Sequence, residues 1–227
     1  MAAFILPLPA RARYNSVTMA TTKRKANLAI LSEPPPPLLL RLEPAIRMSA
    51  DEFLKLCSQN GDLRLERTSE GDIVVMPPEN SETGNTSNDL AVDCGLWARQ
   101  DGTGLGFGSS AGFTLPNGAV RSPDWSWIRR DRWAALTREE RRKFAPICPD
   151  FVLELRSPSD SLGYVQAKMQ EYIDNGTQLG WLIDPIEQRA YVYRPGTAVH
   201  RLDRPDSLSG DSVLPGFILD LRTVWDR

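Results

Sequence analysis

Hydrophobic and polar residues alternate along several short segments of the chain, which is the pattern of half-buried β-strands. A turn at Glu70-Gly71-Asp72 joins the first two segments, and a turn around Asn117-Gly118 joins the next two. Glycine-rich turns are expected over residues 102–108. The predicted strands are residues 63–67, 73–76, 112–115, 125–128, 150–156, 180–185 and 190–194.

Helical spacing of apolar residues occurs between these strands. Ser49 and Glu52 fit a capping box at the start of the first helix, which should end near Asn60-Gly61. The other predicted helices are residues 85–99, a charged surface helix over 131–143 and a helix from residue 159 or 160 to 175. The order of elements predicts an α+β (mixed α/β) fold in which helices flank one curved, mixed β-sheet.

Residues 1–47 are predicted to be a disordered, basic and proline-rich extension, and residues 48–227 the folded domain. Residues 1–50 contain seven Lys or Arg and two Asp or Glu, and a proline run occupies residues 34–37. Such a run is extended and semi-rigid. Three readings remain open for the extension: a disordered tail, with Met19 as a possible alternative start, a transit-like peptide, and a basic arm that binds nucleic acid.

The composition excludes several classes of active site. His200 is the one histidine, so His-dependent nucleophilic catalysis and His-rich zinc sites are excluded. Three widely spaced cysteines do not predict a disulfide framework, and no apolar run is long enough to span a bilayer. We therefore expect a cytoplasmic protein without a membrane segment. Its chemistry should depend on carboxylates and basic side chains, and carboxylate sites favour Mg²⁺ or Mn²⁺.

The predicted strand 150–156 contains a glutamate, Glu154, in a largely hydrophobic run. Side chains alternate between the two faces of a strand, so Glu154 should lie on the face opposite Phe151, Leu153 and Leu155. A carboxylate in a buried strand must be paired, hydrogen-bonded or bound to a cation. Asp150 lies four residues away on the same strand, at about 13 Å, which is too far to share a metal ion with Glu154. Asp124 can share one if its strand pairs with strand 150–156, because paired strands are only about 4.8 Å apart.

The helix that follows this strand contributes a cation. An apolar stripe on the helix consists of Val165, Met169, Tyr172 and Ile173. Lys168 borders the stripe one turn before Tyr172, so both side chains can reach the sheet face that carries Glu154. A lysine beside two carboxylates and a metal can orient a water molecule and offset charge on a phosphate.

These residues together resemble a known group of enzymes. The ordered set Pro123-Asp124, Glu154 in a hydrophobic strand, and Lys168 with Tyr172 on the next helix resembles the PD-(D/E)XK nuclease superfamily. The resemblance is closer to the Uma-two family of restriction-endonuclease-like proteins, and it covers about residue 50 to the end. The segments that carry it are Pro149-Asp150-Phe151-Val152-Leu153-Glu154-Leu155-Arg156-Ser157-Pro158-Ser159, Lys168-Met169-Gln170-Glu171-Tyr172 and Trp181-Leu182-Ile183-Asp184-Pro185.

The resemblance implies a restriction-endonuclease-like core and a Mg²⁺-dependent endonuclease, often dimeric, that hydrolyses phosphodiester bonds in DNA. On this reading Asp124 and Glu154 bind the metal, and the backbone carbonyl of Leu155 is a third ligand. Glu82, just before the second helix, and Glu66, on its strand, are further candidate carboxylates for the metal.

One position departs from the superfamily pattern. The lysine of that pattern usually follows the glutamate by two residues, where this chain has Arg156. Arginine stays protonated and is a poor base, so Lys168 would replace the catalytic lysine, with Arg156 and Tyr172 as supporting residues. Two alternatives remain open: a catalytically inactive nuclease-fold protein that binds nucleic acid or acts as a scaffold, and a hydrolase of another phosphate ester.

Overall fold

The computed structural model describes residue 34 and residues 37–226. These residues form helices and strands that alternate along the chain, which confirms the predicted α+β class. The helices are α1 (Ala50–Gln59), α2 (Ser81–Asp101), α3 (Arg130–Ala135), α4 (Leu162–Asp174) and α5 (Arg222–Trp225), with a 3₁₀ helix at Glu140–Arg142. The strands are β1 (Leu38–Leu40), β2 (Arg64–Arg67), β3 (Ile73–Met76), β4 (Gly104–Gly108), β5 (Phe113–Thr114), β6 (Val120–Arg121), β7 (Trp125–Arg129), β8 (Phe151–Leu155), β9 (Leu179–Asp184), β10 (Arg189–Tyr193), β11 (His200–Asp203), β12 (Ser207–Ser209) and β13 (Ile218–Asp220).

The strands form three sheets in the described part of the chain, where the sequence predicted one curved sheet. The largest sheet has six strands in the order β11-β10-β9-β8-β7-β4, and its β8–β9 pair is parallel. A second sheet has five strands in the order β1-β3-β2-β6-β5, and β12 pairs with β13 separately.

Strand β8 lies at the centre of the six-stranded sheet and is buried on both faces. Phe151, Leu153 and Leu155 belong to one hydrophobic cluster, whereas Val152 belongs to another, which includes residues of α4. The predicted alternation of side chains along this strand is confirmed. Gly180 on β9 lets α4 approach, because a Cβ atom there would lie 2.5 Å from the Met169 methyl carbon.

The glycine-rich segment predicted as turns is an edge strand, β4. Two of its glycines face the tryptophans of β7, which is its partner strand. A Cβ atom at Gly104 would lie 2.2 Å from the Trp127 ring, and one at Gly106 would lie 2.6 Å from the Trp125 ring. The glycines therefore make room for large rings within a sheet. The sequence had predicted turns for this segment.

The predicted pairing of strand 112–115 with strand 125–128 was also wrong. The turn around Asn117-Gly118 joins β5 to β6, not to the strand at 125–128. Gly118 has a φ of 88°, which favours glycine at that turn. Strand β7 crosses into the six-stranded sheet, where it pairs with β4 and β8. Pro123 lies between β6, which belongs to the five-stranded sheet, and β7, which belongs to the six-stranded sheet.

Helices α1, α2 and α4 each begin at a residue whose side chain caps the helix. Ser49 and Glu52 form the predicted capping box of α1. Helix α2 begins at Ser81, earlier than predicted, because the Asn80 side chain accepts a hydrogen bond from the Thr83 amide. Ser161 caps α4 in the same way. The predicted surface helix over 131–143 is divided into α3 and the 3₁₀ helix.

The predicted extension and the C-terminal segment both differ in part from expectation. Leu38–Leu40, which lie inside the predicted extension 1–47, pair with β3, so the sheet begins before residue 48. The expectations for residues 1–33, 35 and 36 lie outside the described residues. Strands β11 to β13 and helix α5 were not predicted. No helix in the described part of the chain is long and apolar enough to cross a membrane.

Candidate active site

The candidate site lies where β7 begins and β8 ends. These strands are antiparallel, with Trp125 opposite Leu153, so Asp124 comes beside the end of β8. The Asp124 Oδ2 atom accepts a hydrogen bond of 2.8 Å from the Leu155 amide. Asp124 and Glu154 line the same cavity, as strand spacing predicted, and Leu155 lines it as well.

Helix α4 covers this end of β8 with two polar side chains. The Lys168 ammonium lies 2.8 Å from Glu154 Oε1, and the Tyr172 hydroxyl donates to the same oxygen at 3.2 Å. Lys168 also lines the cavity, and all three side chains are buried. The structure thus brings Asp124, Glu154, Lys168 and Tyr172 together, while their catalytic roles stay predictions.

A second carboxylate holds Lys168 from the other sheet. Glu66 on β2 lies 3.0 Å from the Lys168 ammonium and accepts a hydrogen bond from the Ser122 amide. Arg121 pairs with Glu66 at 3.1 Å and with Glu171 at 2.6 Å. Glu66 was only a minor candidate from sequence, because nothing near it in the chain signals that β2 reaches α4. Its place is beside the lysine in a buried network of charges.

Burial and neighbouring charges change the pKa values of these groups. Burial, with Asp124 and Glu66 nearby, raises the pKa of Glu154 to about 8 despite the Lys168 cation. Burial likewise raises the pKa of Asp124 to about 6. For Glu66, Lys168 and Arg121 together outweigh burial and lower its pKa. The pKa of Lys168 is raised, because Glu154 and Glu66 outweigh its burial, so this lysine stays protonated.

The donor atoms fit a hard divalent cation. No group of three or more His, Cys, Asp or Glu side chains among the described residues could hold a metal ion. However, Mg²⁺ is often held by one or two carboxylates, with water and phosphate oxygens completing its shell. Asp124 and Glu154 would supply those carboxylates, and Leu155 the predicted carbonyl. Their raised pKa values indicate that the surrounding cations do not fully compensate two buried carboxylates.

Two predicted site residues face elsewhere. The Arg156 guanidinium lies 2.8 Å from the buried Asp184 and donates to the Asp160 carbonyl. It lines a neighbouring cavity with Glu82, which belongs to the first turn of α2. Neither side chain lines the cavity that contains Asp124. Glu82 therefore lies outside the cavity predicted for the metal, and Arg156 holds the loop after β8 in place of the predicted contact with the site.

Arg64 and Glu79 border the cavity and were missed in the sequence. Arg64 Nη1 lies 3.2 Å from Glu79 Oε1, and its Nη2 lies 4.0 Å from Asp124 Oδ1. Arg64 precedes Glu66 by two residues on β2, so strand periodicity places both on one face. Recognising Glu66 as a site residue would have identified Arg64 as well.

Asp150 lies at the opposite end of β8, away from the site. Its Oδ2 accepts a hydrogen bond of 2.9 Å from the Arg129 amide, and Oδ1 lies 2.8 Å from Arg132. Asp150 therefore joins the start of β8 to the end of β7 and to α3. This placement agrees with the prediction that Asp150 is too far from Glu154 to share a metal ion with it.

Comparisons with known proteins identify the family. The Uma2 family, described as a putative restriction endonuclease, matches residues 50–222. The chain resembles the crystal structure of a putative nuclease belonging to DUF820 from Anabaena variabilis, with a TM-score of 0.65 and 25% identity. This similarity covers 79% of this chain and 98% of that chain, whereas no curated protein matches. The family match spans the whole cavity described above, and the chain belongs to the Uma2 family of putative restriction endonucleases.

Proposed function

We propose that this protein is a Mg²⁺-dependent DNA endonuclease that hydrolyses phosphodiester bonds. The observation that carries the proposal is the convergence of Asp124, Glu154 and Lys168 on one cavity at the end of β8. Membership of a family described as restriction endonucleases supports a nuclease activity. Carboxylate oxygens support Mg²⁺ or Mn²⁺ as the ion.

Bound Mg²⁺ would polarise the phosphate and lower the pKa of a water molecule. Asp124 and Glu154 would hold the ion, with the Leu155 carbonyl beside them. The Leu155 amide fixes the Asp124 carboxylate through Oδ2, and the Tyr172 hydroxyl fixes Glu154 through Oε1. These hydrogen bonds set the direction of both carboxylates before any substrate arrives.

Lys168 acts through its charge and its position in this proposal. Its raised pKa makes it a poor proton acceptor, so a role as general base is not favoured. A protonated ammonium can orient the attacking water and stabilise the negative charge that develops on the phosphate. Glu66 and Glu154 hold the ammonium from two sides and so define where it points.

Calorimetry with Mn²⁺ and cleavage of supercoiled plasmid test the proposal together. We expect the wild type to bind Mn²⁺ and to nick the plasmid, and Asp124→Asn and Glu154→Gln to lose both. Lys168→Ala should keep Mn²⁺ binding but lose cleavage by at least about 10²-fold. Asp150→Asn is the matched control, and it should behave as the wild type. A wild type that binds no divalent ion would overturn the proposal.

The substrate and the assembly are part of the same proposal. Cleavage of plasmid, single-stranded DNA and RNA, measured side by side, tests DNA against other phosphate esters. Sedimentation of the purified protein tests the proposed homodimer. If the protein cleaves RNA or a simple phosphate ester as fast as DNA, the proposal that DNA is the substrate class is wrong.

One observation favours a catalytically inactive binding or scaffold protein as the second candidate. One oxygen of Glu154 already contacts the Lys168 ammonium and the Tyr172 hydroxyl, so part of the buried negative charge is compensated without a metal. In that case Asp124→Ala would stabilise the fold, because two nearby carboxylates without a metal repel each other. Stabilisation by Asp124→Ala together with no Mn²⁺ binding by the wild type would favour this candidate.

A further inference from the structure

Arg64 has two acidic neighbours at the edge of the cavity. Its guanidinium is 3.2 Å from Glu79 and 4.0 Å from Asp124, and its side chain is 43% exposed. A half-exposed ion pair of this kind contributes little to stability and can rearrange easily. Arg64 is therefore free to exchange its partners when a ligand enters the cavity.

The two oxygens of Asp124 differ in their surroundings. Oδ2 accepts the Leu155 amide, whereas Oδ1 faces Arg64. A divalent ion bound to Oδ1, at about 2.1 Å, would lie within a few ångströms of the guanidinium. Two cations at that distance repel each other, unless an anion lies between them. The divalent ion and Arg64 therefore compete for Asp124 when no anion lies between them. When an anion lies between them, both cations can bind it.

We propose that Arg64 is a phosphate-binding residue that leaves Asp124 and Glu79 and binds a phosphate group of the nucleic-acid substrate when the divalent ion binds. This inference rests on the proposed function. Arginine presents parallel N–H donors that match the oxygens of a carboxylate or a phosphate. Glu79 pairs with the Arg64 guanidinium in the ligand-free protein, and so competes with the phosphate for it.

Calorimetry with Mn²⁺ alone, and then with deoxythymidine 3′,5′-bisphosphate in saturating Mn²⁺, tests this exchange. The bisphosphate carries phosphate groups but no phosphodiester bond that could be cleaved. Arg64→Gln should bind Mn²⁺ alone about threefold more tightly, because a competing cation is gone. The same variant should bind the bisphosphate about tenfold more weakly, because a charge-assisted hydrogen bond is lost.

Two further variants sharpen the test. Glu79→Gln should bind the bisphosphate about threefold more tightly than the wild type, because the competing carboxylate is removed. Arg189→Gln is the matched control. Arg189 also lies on a strand and contacts two carboxylates, Glu187 and Asp203, but it does not line the cavity. It should change neither affinity.

The possible outcomes separate the two proposals. If the wild type binds no Mn²⁺, the proposed function and the role of Arg64 both fail. If the wild type binds Mn²⁺ but Arg64→Gln matches the Arg189 control, or weakens both ligands equally, only the role of Arg64 fails. If the wild type binds Mn²⁺ but not the bisphosphate, that role also fails alone. Arg64→Lys, which keeps the charge, replaces Arg64→Gln if the latter does not fold, and should show a smaller loss of bisphosphate affinity.

Discussion

Two Pro-Asp dipeptides, Pro123-Asp124 and Pro149-Asp150, stand at opposite ends of one pair of strands. Each precedes its strand, β7 or β8, and the strands are antiparallel. Asp124 therefore meets the end of β8, whereas Asp150 meets the end of β7. The same two-residue sequence thus lies in two different environments, and strand direction alone separates them.

The difference between the two aspartates lies in what compensates their charge. One oxygen of Asp150 accepts a hydrogen bond from the Arg129 amide, and the other lies 2.8 Å from the Arg132 guanidinium. One oxygen of Asp124 accepts a hydrogen bond from the Leu155 amide, and the other lies 4.0 Å from the Arg64 guanidinium. Burial raises the pKa of Asp124 to about 6. A buried carboxylate with an incompletely compensated charge is a functional candidate, whereas a fully paired one is a structural feature.

Exchanging each aspartate for asparagine should give the largest contrast. Asp124→Asn should lower the plasmid cleavage rate by at least about 10²-fold, because the ion loses a charged ligand. Asp150→Asn should keep cleavage within about threefold of the wild type, while losing about 1 kcal/mol of unfolding free energy. Cleavage kinetics and urea denaturation measure the two effects. Equal loss of activity in both variants would contradict the division of roles.

Lys168 in the candidate site should contribute more to the free energy of unfolding than Lys143, a lysine nearer the surface that also contacts two carboxylates. Lys168 lies buried between Glu66 and Glu154, and Lys143 lies partly exposed between Asp51 and Glu139. Lys168→Met should cost about 3 kcal/mol of unfolding free energy at pH 8, because it leaves buried charges without their partner.

Lys143→Met is the control for this prediction. It should cost less than about 1 kcal/mol, because exposed ion pairs are screened by solvent. Urea denaturation at pH 8 and again at pH 5 measures both variants. The cost of Lys168→Met should shrink at pH 5, where the carboxyl groups bind protons more readily. A cost that is equal for the two lysines would show that the buried network is not strongly coupled.

Local patterns were enough to predict the centre of the site. The two-residue period of a strand placed Glu154 on the face opposite Phe151, and strand spacing selected Asp124 over Asp150. The helical period placed Lys168 beside Tyr172. Each of these inferences uses only neighbours along one element, or the fixed distance between paired strands.

The surroundings of the site could not be predicted, because they depend on how separate elements meet. Arg64 and Glu66 lie on β2, in another sheet, and no local pattern shows that β2 borders α4. Gly104 and Gly106 look like turn residues until the rings of β7 are placed against them. Arg156 resembles a catalytic cation by its spacing, but the buried Asp184 on the neighbouring strand holds it.

The pH dependence of stability should depend on the two buried carboxylates of the candidate site, Asp124 and Glu154. The folded-state pKa values of Asp124 and Glu154 are raised to about 6 and about 8. The folded protein therefore binds more protons than the unfolded chain above the unfolded pKa values near 4, and these groups lose stability as the pH rises. Without divalent ions, we expect the unfolding free energy to fall between pH 5 and pH 8, by up to about 5 kcal/mol.

Urea denaturation across that range measures the fall. Asp124→Asn should reduce the fall, because one of the two groups with a raised pKa no longer titrates. Added Mg²⁺ should also reduce it, because an ion that binds only the folded protein stabilises that state. A stability that rises from pH 5 to pH 8 in the metal-free wild type would contradict the raised pKa values.

The smallest effect should come from the cation beside Asp150. Arg132→Gln removes the ion pair to Asp150 and a hydrogen bond to the Cys148 carbonyl, but it leaves the Arg129 amide in place. About a third of the Arg132 side chain is exposed, so solvent replaces part of what is lost. We expect a loss of about 1 kcal/mol in urea denaturation, with unchanged Mn²⁺ affinity by calorimetry. A change in Mn²⁺ affinity would mean that the two ends of β8 are coupled, and that Asp150 contributes to the site through the strand itself.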